Sequence, residues 1–236
     1  MKMPRRSLMV LAASGVACAA GRSWAGEQQS KPAIPPFELP KLPWEPGDLA
    51  PVMSSRAVGL HYGKHHAGYL DNLNKLMPGS GFEGRTLEQI VRGTSGLADK
   101  TALFNNAAQG WNHAFFWQSL TPNGGGKPGL EVLEKVNESF GSLGEFRKAF
   151  LSASAGQFGS GWVWLVADKA TKRLALMKTS NAETPIASVA FEPLAVLDVW
   201  EHAYYVDYEN RRSEYAAAVL DHLLDWRFVE ANLAHL

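Results

Sequence analysis

Asp198-Val199-Trp200-Glu201-His202-Ala203-Tyr204-Tyr205 follows an apolar run, Pro193-Leu194-Ala195-Val196-Leu197. The run reads as a short buried strand. It carries the carboxylate of Asp198 to the point where the strand stops, and an imidazole, His202, follows four residues later. A carboxylate at the end of a buried strand is costly to desolvate unless it is capped, paired or bound to a cation. Two readings are open at this point. Asp198 with Glu201 three residues on has the form of a capping box opening a helix. The same carboxylate with His202 also suits a metal site.

Histidines elsewhere favour the second reading. Ser54 or Ser55 is placed to cap a helix running to about Met77, where Pro78-Gly79 ends it. His61, His65 and Tyr69 recur along it at spacing four, on one helical face. His66 points elsewhere and reads as a surface or satisfied core residue. Gly63 and Gly68 lower helix propensity and suggest close approach of another backbone. Leu87 to Arg92 is a short helical piece. A second long helix spans about Thr101 to Leu120, with Gln109, His113 and Trp117 again at spacing four. An amide on the face of a buried imidazole can hold a water or fix a tautomer.

Thr121-Pro122-Asn123-Gly124-Gly125-Gly126-Lys127-Pro128 is the clearest boundary in the chain. Before it stands an antiparallel two-helix hairpin. After it, Leu130 to Phe140 and Glu145 to Ala155 read as helices. Trp162 to Val166, Arg173 to Thr179 and Pro193 to Leu197 read as strands, the first two antiparallel across a short turn. Tyr204 to Asn210 and Tyr215 to Phe228 read as closing helices. The fold class expected is α+β: an N-terminal helical hairpin domain, residues 37–122, and a C-terminal domain, residues 123–236, with a three-stranded antiparallel sheet.

The whole chain has 236 residues, 46% hydrophobic and 19% charged, with no net charge. That is an ordinary globular composition. Its first 25 residues carry Lys2, Arg5, Arg6 and Arg22 and no acid, leaving 19 basic against 23 acidic side chains beyond them. A mildly acidic body lacks the basic footprint of a nucleic-acid binder. Residues 1–25 read as an export signal: a basic start, an apolar stretch from Ser7 to Gly21 too short to span a bilayer, and small residues before Gly26. Arg5-Arg6-Ser7-Leu8-Met9 resembles a twin-arginine signal. Cleavage after Ala25 removes Cys18, the only cysteine, and with it any disulfide or thiolate site. The expected location is periplasmic or secreted, with no membrane anchor after cleavage. Residues 26–36 read as a flexible, Pro-containing lead, and Phe37 to Trp44 as an extended segment with apolar anchors.

His61, His113, Asp198 and His202 together offer three imidazoles and one carboxylate. Such a set suits a first-row metal and leaves a position open. No phosphate loop and no nucleophile elbow competes with it.

In these stretches the chain closely resembles the iron/manganese superoxide dismutases. The Asp198 to Tyr205 stretch matches that family's signature. His61-Tyr62-Gly63-Lys64-His65-His66 and Asn105 to His113 resemble its two helix motifs, and Phe158 to Trp162 and Ser180-Asn181-Ala182 also fit. The resemblance implies a redox-cycling metal that converts two superoxide to dioxygen and hydrogen peroxide. It implies His61, His113, Asp198 and His202 as ligands and Tyr69 as a proton relay. It implies His65 as a gateway beside Tyr69, Gln109 as the hydrogen-bond partner of bound solvent, and Trp162 as an aromatic wall. Trp111 and Trp200 look like further packing around the site. It implies a homodimer in which Glu201, His202, Tyr205 and His65 meet across the interface. Lys64 and Arg212 fall where cations near the channel would attract an anion. Gln109 together with Ala182 points to iron, with manganese the alternative. The rival readings are a zinc hydrolase with the same ligands and a metal-binding dimer without dismutase activity.

Overall fold

A computed structural model describes residues 36–236. The export signal, Cys18 and nearly all of the lead lie outside the described residues.

The N-terminal part opens with the extended segment, which is stitched down at both ends. Phe37 exchanges main-chain hydrogen bonds with the Asn74 amide at 2.8 and 2.9 Å, and Trp44 Nε1 donates to Leu120 O at 3.0 Å. Ser54 caps α1 (Ser55–Leu60) by accepting from Ala57 N. The helix does not continue regularly. His61–His66 forms a π-helical turn before α2 (Ala67–Leu76). In an i→i+5 turn residues five apart come to share a face. His61 and His66 are therefore both buried while His65 is exposed, against the regular spacing of four expected from sequence.

A capping box of Thr86 and Gln89 starts α3 (Leu87–Thr94), which packs with α2 and α4 (Thr101–Gln118) around Leu73, Ile90, Val91 and Leu103. The close helix approach expected at Gly63 and Gly68 is not there: nothing lies within 4 Å of a Cβ built at either. It occurs at Gly110 in α4, where a Cβ would sit 2.7 Å from Leu70 Cδ2. The bare backbone also lets His66 Nε2 reach Gly110 O at 3.0 Å.

The C-terminal part contains α5 (Leu130–Phe140), α6 (Leu143–Ala155), three strands and three closing helices. The strands β1 (Gly161–Asp168), β2 (Leu174–Ser180) and β3 (Phe191–Asp198) form an antiparallel sheet in the order β2-β1-β3. β1 is central and buried from Gly161 to Ala167. Its register places Trp162 opposite Asp198. A bulge faces Leu165 and Val166, beside Pro193. Proline is tolerated there because β3 is an edge strand.

The closing helices differ from the sequence reading, the first of them starting three residues before Tyr204. α7 (Glu201–Tyr208) begins at Glu201 with Trp200 as its N-cap residue, and Asp198 Oδ1 accepts from Trp200 N at 2.8 Å. The Asp198–Glu201 capping box is not formed. The single helix expected over 215–228 is two, α8 (Arg212–His222) and α9 (Trp226–Leu233). Leu224 leaves the helix to bridge Leu120, and Asp225 caps the next by accepting from Arg227 N. The Thr121 to Pro128 segment does not separate two independent cores. Thr121 N and Gly125 N donate to Leu223 O and Leu224 O, each at 2.8 Å, and one hydrophobic core runs from Trp44, Phe116 and Trp117 into the sheet. No helix among the described residues is long and apolar enough to cross a membrane.

Candidate metal centre

Four elements deliver one polar group each to a buried point. The π turn brings His61, α4 brings His113, the end of β3 brings Asp198, and α7 brings His202. One ligand atom from each lies within 4.8 Å of every other. Asp198 Oδ2 stands 3.1 Å from His61 Nε2, 3.8 Å from His113 Nε2 and 3.2 Å from His202 Nε2. His61, His113 and Asp198 are fully buried.

The protonation states follow from the surroundings. His113 Nδ1 lies 2.8 Å from the main-chain oxygen of Gln109, which can only accept. The proton is thus on Nδ1, and Nε2 presents a lone pair to the cluster. Burial pushes the His61 pKa down to about 4 and that of His113 well below its usual value. Both imidazoles are neutral at pH 7. Burial would raise the Asp198 pKa, but the His202 imidazole, 3.2 Å from Oδ2, and the neighbouring His61 ring outweigh it and hold the carboxyl well below the usual range. The cluster therefore holds a carboxylate facing the neutral rings of His61 and His113.

That arrangement lacks protons to satisfy itself. His61 Nε2 is close to the carboxylate but outside hydrogen-bonding geometry, and His113 Nε2 is buried without any partner. Buried lone pairs pointed at an anion are unfavourable unless a cation lies between them. Donor atoms about 2.1 Å from a shared ion stand about 3 to 4.2 Å apart for angles of 90° to 180°. The three measured separations from Oδ2 fall in that range. The donor set fits a metal ion.

Around the cluster, His61 packs against Trp117 and Phe116, with ring centroids 4.7 and 5.5 Å away. Trp162 meets His113 edge-on at 5.0 Å, and Trp200 stacks on His202 at 5.3 Å. Trp111 is not part of this wall. It stacks on Phe115 and Trp164 and donates to Glu88 Oε1 at 2.8 Å. Tyr69 lies beside His113, with its OH 3.4 Å from Gln109 Nε2, and burial raises its pKa. Gln109 Oε1 is buried without a partner. His65 stacks on His202 at 4.2 Å and is exposed at the other face.

Arg212 is a structural brace: it donates to Gln157 O, Gly159 O and Tyr204 OH. Lys64 is exposed. His66 is a satisfied core residue, as read, accepting from Trp117 Nε1 at 3.1 Å while donating to Gly110 O. Sequence reasoning gave no role to Asn112, whose amide reaches the carbonyls of Ala182 and Glu183 at 3.3 and 3.5 Å. Its place directly before His113 was the available signal.

A family model described as the α-hairpin domain of iron/manganese superoxide dismutases matches residues 36–121, and one described as their C-terminal domain matches residues 128–232. The chain belongs to the iron/manganese superoxide dismutase family. It is 49% identical over 201 residues to "Superoxide dismutase [Fe]" of Escherichia coli K12, covering 84% of this chain and 98% of that one. It is 46% identical over 198 residues to "Superoxide dismutase [Fe]" of Synechocystis, covering 84% and 98%. A third relative, "Superoxide dismutase [Mn/Fe]" of Rickettsia bellii, is 47% identical over 199 residues, covering 84% and 93%. The family is one of oxidoreductases, and the activity that membership assigns to this chain is superoxide dismutation.

Proposed function

We propose that the cluster holds one iron ion, with His61, His113, Asp198 and His202 as ligands, and that superoxide is dismuted there. The observation that carries this reading is the buried, partnerless Nε2 of His113 aimed at a buried carboxylate. Iron held there would supply one-electron chemistry in both directions, taking an electron from one superoxide to leave dioxygen and giving one to another, which with two protons leaves as hydrogen peroxide.

The chain's own residues bind, screen and move protons. Neutral imidazoles donate without adding charge, and the single carboxylate favours the higher oxidation state. Gln109 offers its amide to solvent at the open position and to Tyr69, which burial keeps protonated and able to give a proton. Trp162 closes one side against bulk water, and His65 lines the mouth. Iron is favoured over manganese because the amide comes from Gln109 in α4 while position 182 carries only a methyl group. The [Fe] names of two relatives support this, and the [Mn/Fe] name of the third keeps manganese as the alternative.

Metal analysis paired with a dismutation assay on one purified sample tests the reading. About one iron per chain with activity is expected. Activity with manganese overturns the choice of metal. Zinc, or stoichiometric iron without dismutation, leaves a metal-binding protein of the same fold.

Two further parts of the reading concern the assembly and the cell. A homodimer is built through Glu201, His202, Tyr205 and His65. Glu201, Tyr205 and His65 are exposed in the single chain, and Phe158, beside the Arg212 brace, is 97% exposed. Aromatic surface of this kind marks a contact. Sedimentation should give twice the chain mass, and a monomer refutes it. The chain is exported after cleavage behind Ala25, given the basic start and apolar stretch that precede the family match at residue 36. The intact mass of protein from the periplasm or medium checks this: full-length chain confined to the cytoplasm is the contrary result. Lysine at both Arg5 and Arg6 should block export if the twin-arginine route is used.

A further inference from the structure

We propose that the main-chain carbonyl of Asn181 positions two aromatic walls of the metal centre at once, and that the left-handed backbone at this residue aims it.

Trp162 Nε1 donates to Asn181 O at 3.0 Å, and Trp200 Nε1 donates to the same oxygen at 3.2 Å. A carbonyl oxygen has two lone pairs, so these two donors fill it. The indoles come from different elements. Trp162 is on the central strand β1 and meets His113 edge-on; Trp200 precedes α7 and stacks on His202. One peptide group thus sets the distance between the wall of one ligand and the wall of another.

The peptide is itself fixed. Asn181 N donates to Ser160 O at 3.0 Å, just before β1. The next two carbonyls, of Ala182 and Glu183, receive the amide of Asn112, the residue preceding His113. Residues 181–183 are therefore tied to β1, to α4 and to the joint between β3 and α7. Those elements carry or flank His113, Asp198 and His202.

The backbone at Asn181 has φ +52°, in the left-handed region. Asn enters that region far more readily than β-branched residues. The Asn181 side chain is exposed, and no hydrogen bond joins it to another described residue. What the site uses is the direction of the carbonyl. A residue that drives φ negative rotates the oxygen away from both indoles, freeing the rings that pack on His113 and His202. Partners outside the ligand shell commonly change activity or metal affinity about 10–100-fold when removed.

This inference rests on the assignment of His61, His113, Asp198 and His202 as iron ligands, which iron content of the wild-type protein tests separately. The experiment compares N181G, N181V and W200F with wild type, each iron-loaded and normalised to bound iron. The readouts are the ferric electron paramagnetic resonance spectrum and the Kd for azide as an anion probe. N181G tolerates positive φ and should match wild type within about twofold. N181V should change the spectrum and weaken azide about tenfold. W200F removes one donor and should shift both readouts in the same direction by less. An N181V protein with wild-type spectrum and azide affinity overturns the proposal. So does N181G altered as much as N181V, which would place the effect in the lost side chain. If N181V does not fold, W200F decides: an unchanged spectrum and Kd refute the shared-carbonyl role.

Discussion

His113 donates its Nδ1 proton to the main-chain oxygen of Gln109, one helical turn earlier, at 2.8 Å. The same residue's side chain turns the other way, toward Tyr69. Gln109 therefore acts twice: its carbonyl sets the tautomer of His113, and its side-chain amide donates to Tyr69 OH at 3.4 Å. A substitution separates the two tasks, because every residue has the carbonyl.

Gln109→Leu should retain the metal while lowering turnover by about 10–100-fold, since only the amide is lost. Metal content and kcat measured on the same sample check it. Full activity with metal retained rules out the amide role.

Asp198→Asn removes the only carboxylate of the cluster and the charge that opposes a cation. The amide can still accept from Trp200 N through its oxygen, so the turn into α7 should survive. Metal affinity should fall at least about 10–100-fold, with near-native far-UV circular dichroism. Stoichiometric metal in this variant would contradict the ligand assignment.

Acid stability carries a signature of His66. Burial pushes its pKa down to about 4 from 6.5. Between those values the unfolded chain binds a proton that the folded chain does not, so stability rises with pH there and is lost on acidification. The loss starts below about pH 6.5 and levels off near pH 4. One proton over this span amounts to roughly 3 kcal/mol. In the metal-free protein, His66→Gln should flatten the pH dependence of denaturant unfolding by that order, although it lowers stability at pH 7. An unaltered slope between pH 6.5 and 4 counts against this account.

Gly161→Ala tests the strand that carries Trp162. A Cβ at Gly161 would collide with the main-chain oxygen of Thr179 and stand 2.7 Å from Gln157 Nε2. The oxygen belongs to the paired strand β2 and cannot swing aside. The variant should lose about 1–3 kcal/mol and several degrees of Tm. Calorimetry showing an unchanged Tm would mean that the sheet end relaxes freely.

The sequence alone determined the α+β class, the three-stranded antiparallel sheet and, through its resemblance to family motifs, the four residues that converge on one point. Those signals are local or carried by motif: an apolar run ending in Asp198, a histidine in each of two helices, Pro and Gly between. Where local pattern met a competing tertiary contact, it misled. Leu224 bridges Leu120 and splits a helix that periodicity ran straight through, although Asp225 before Trp226 was a legible cap. Trp111 and Trp117 were equally apolar in the sequence, yet only Trp117 packs against the buried His61 ring.

Tertiary structure decided the rest because it depends on distance between remote segments. The π turn at His61–His66 rotates His66 inward and His65 outward, and no residue type announces it. The lowered pKa of His61 comes from burial, which requires α4 and the sheet to be in place. The sharing of Asn181 O by Trp162 and Trp200 joins residues 19 apart on either side, and only the register of β1 and the turn into α7 brings them there. A sequence fixes periodicity along the chain. Desolvation and convergence exist only once the chain has packed.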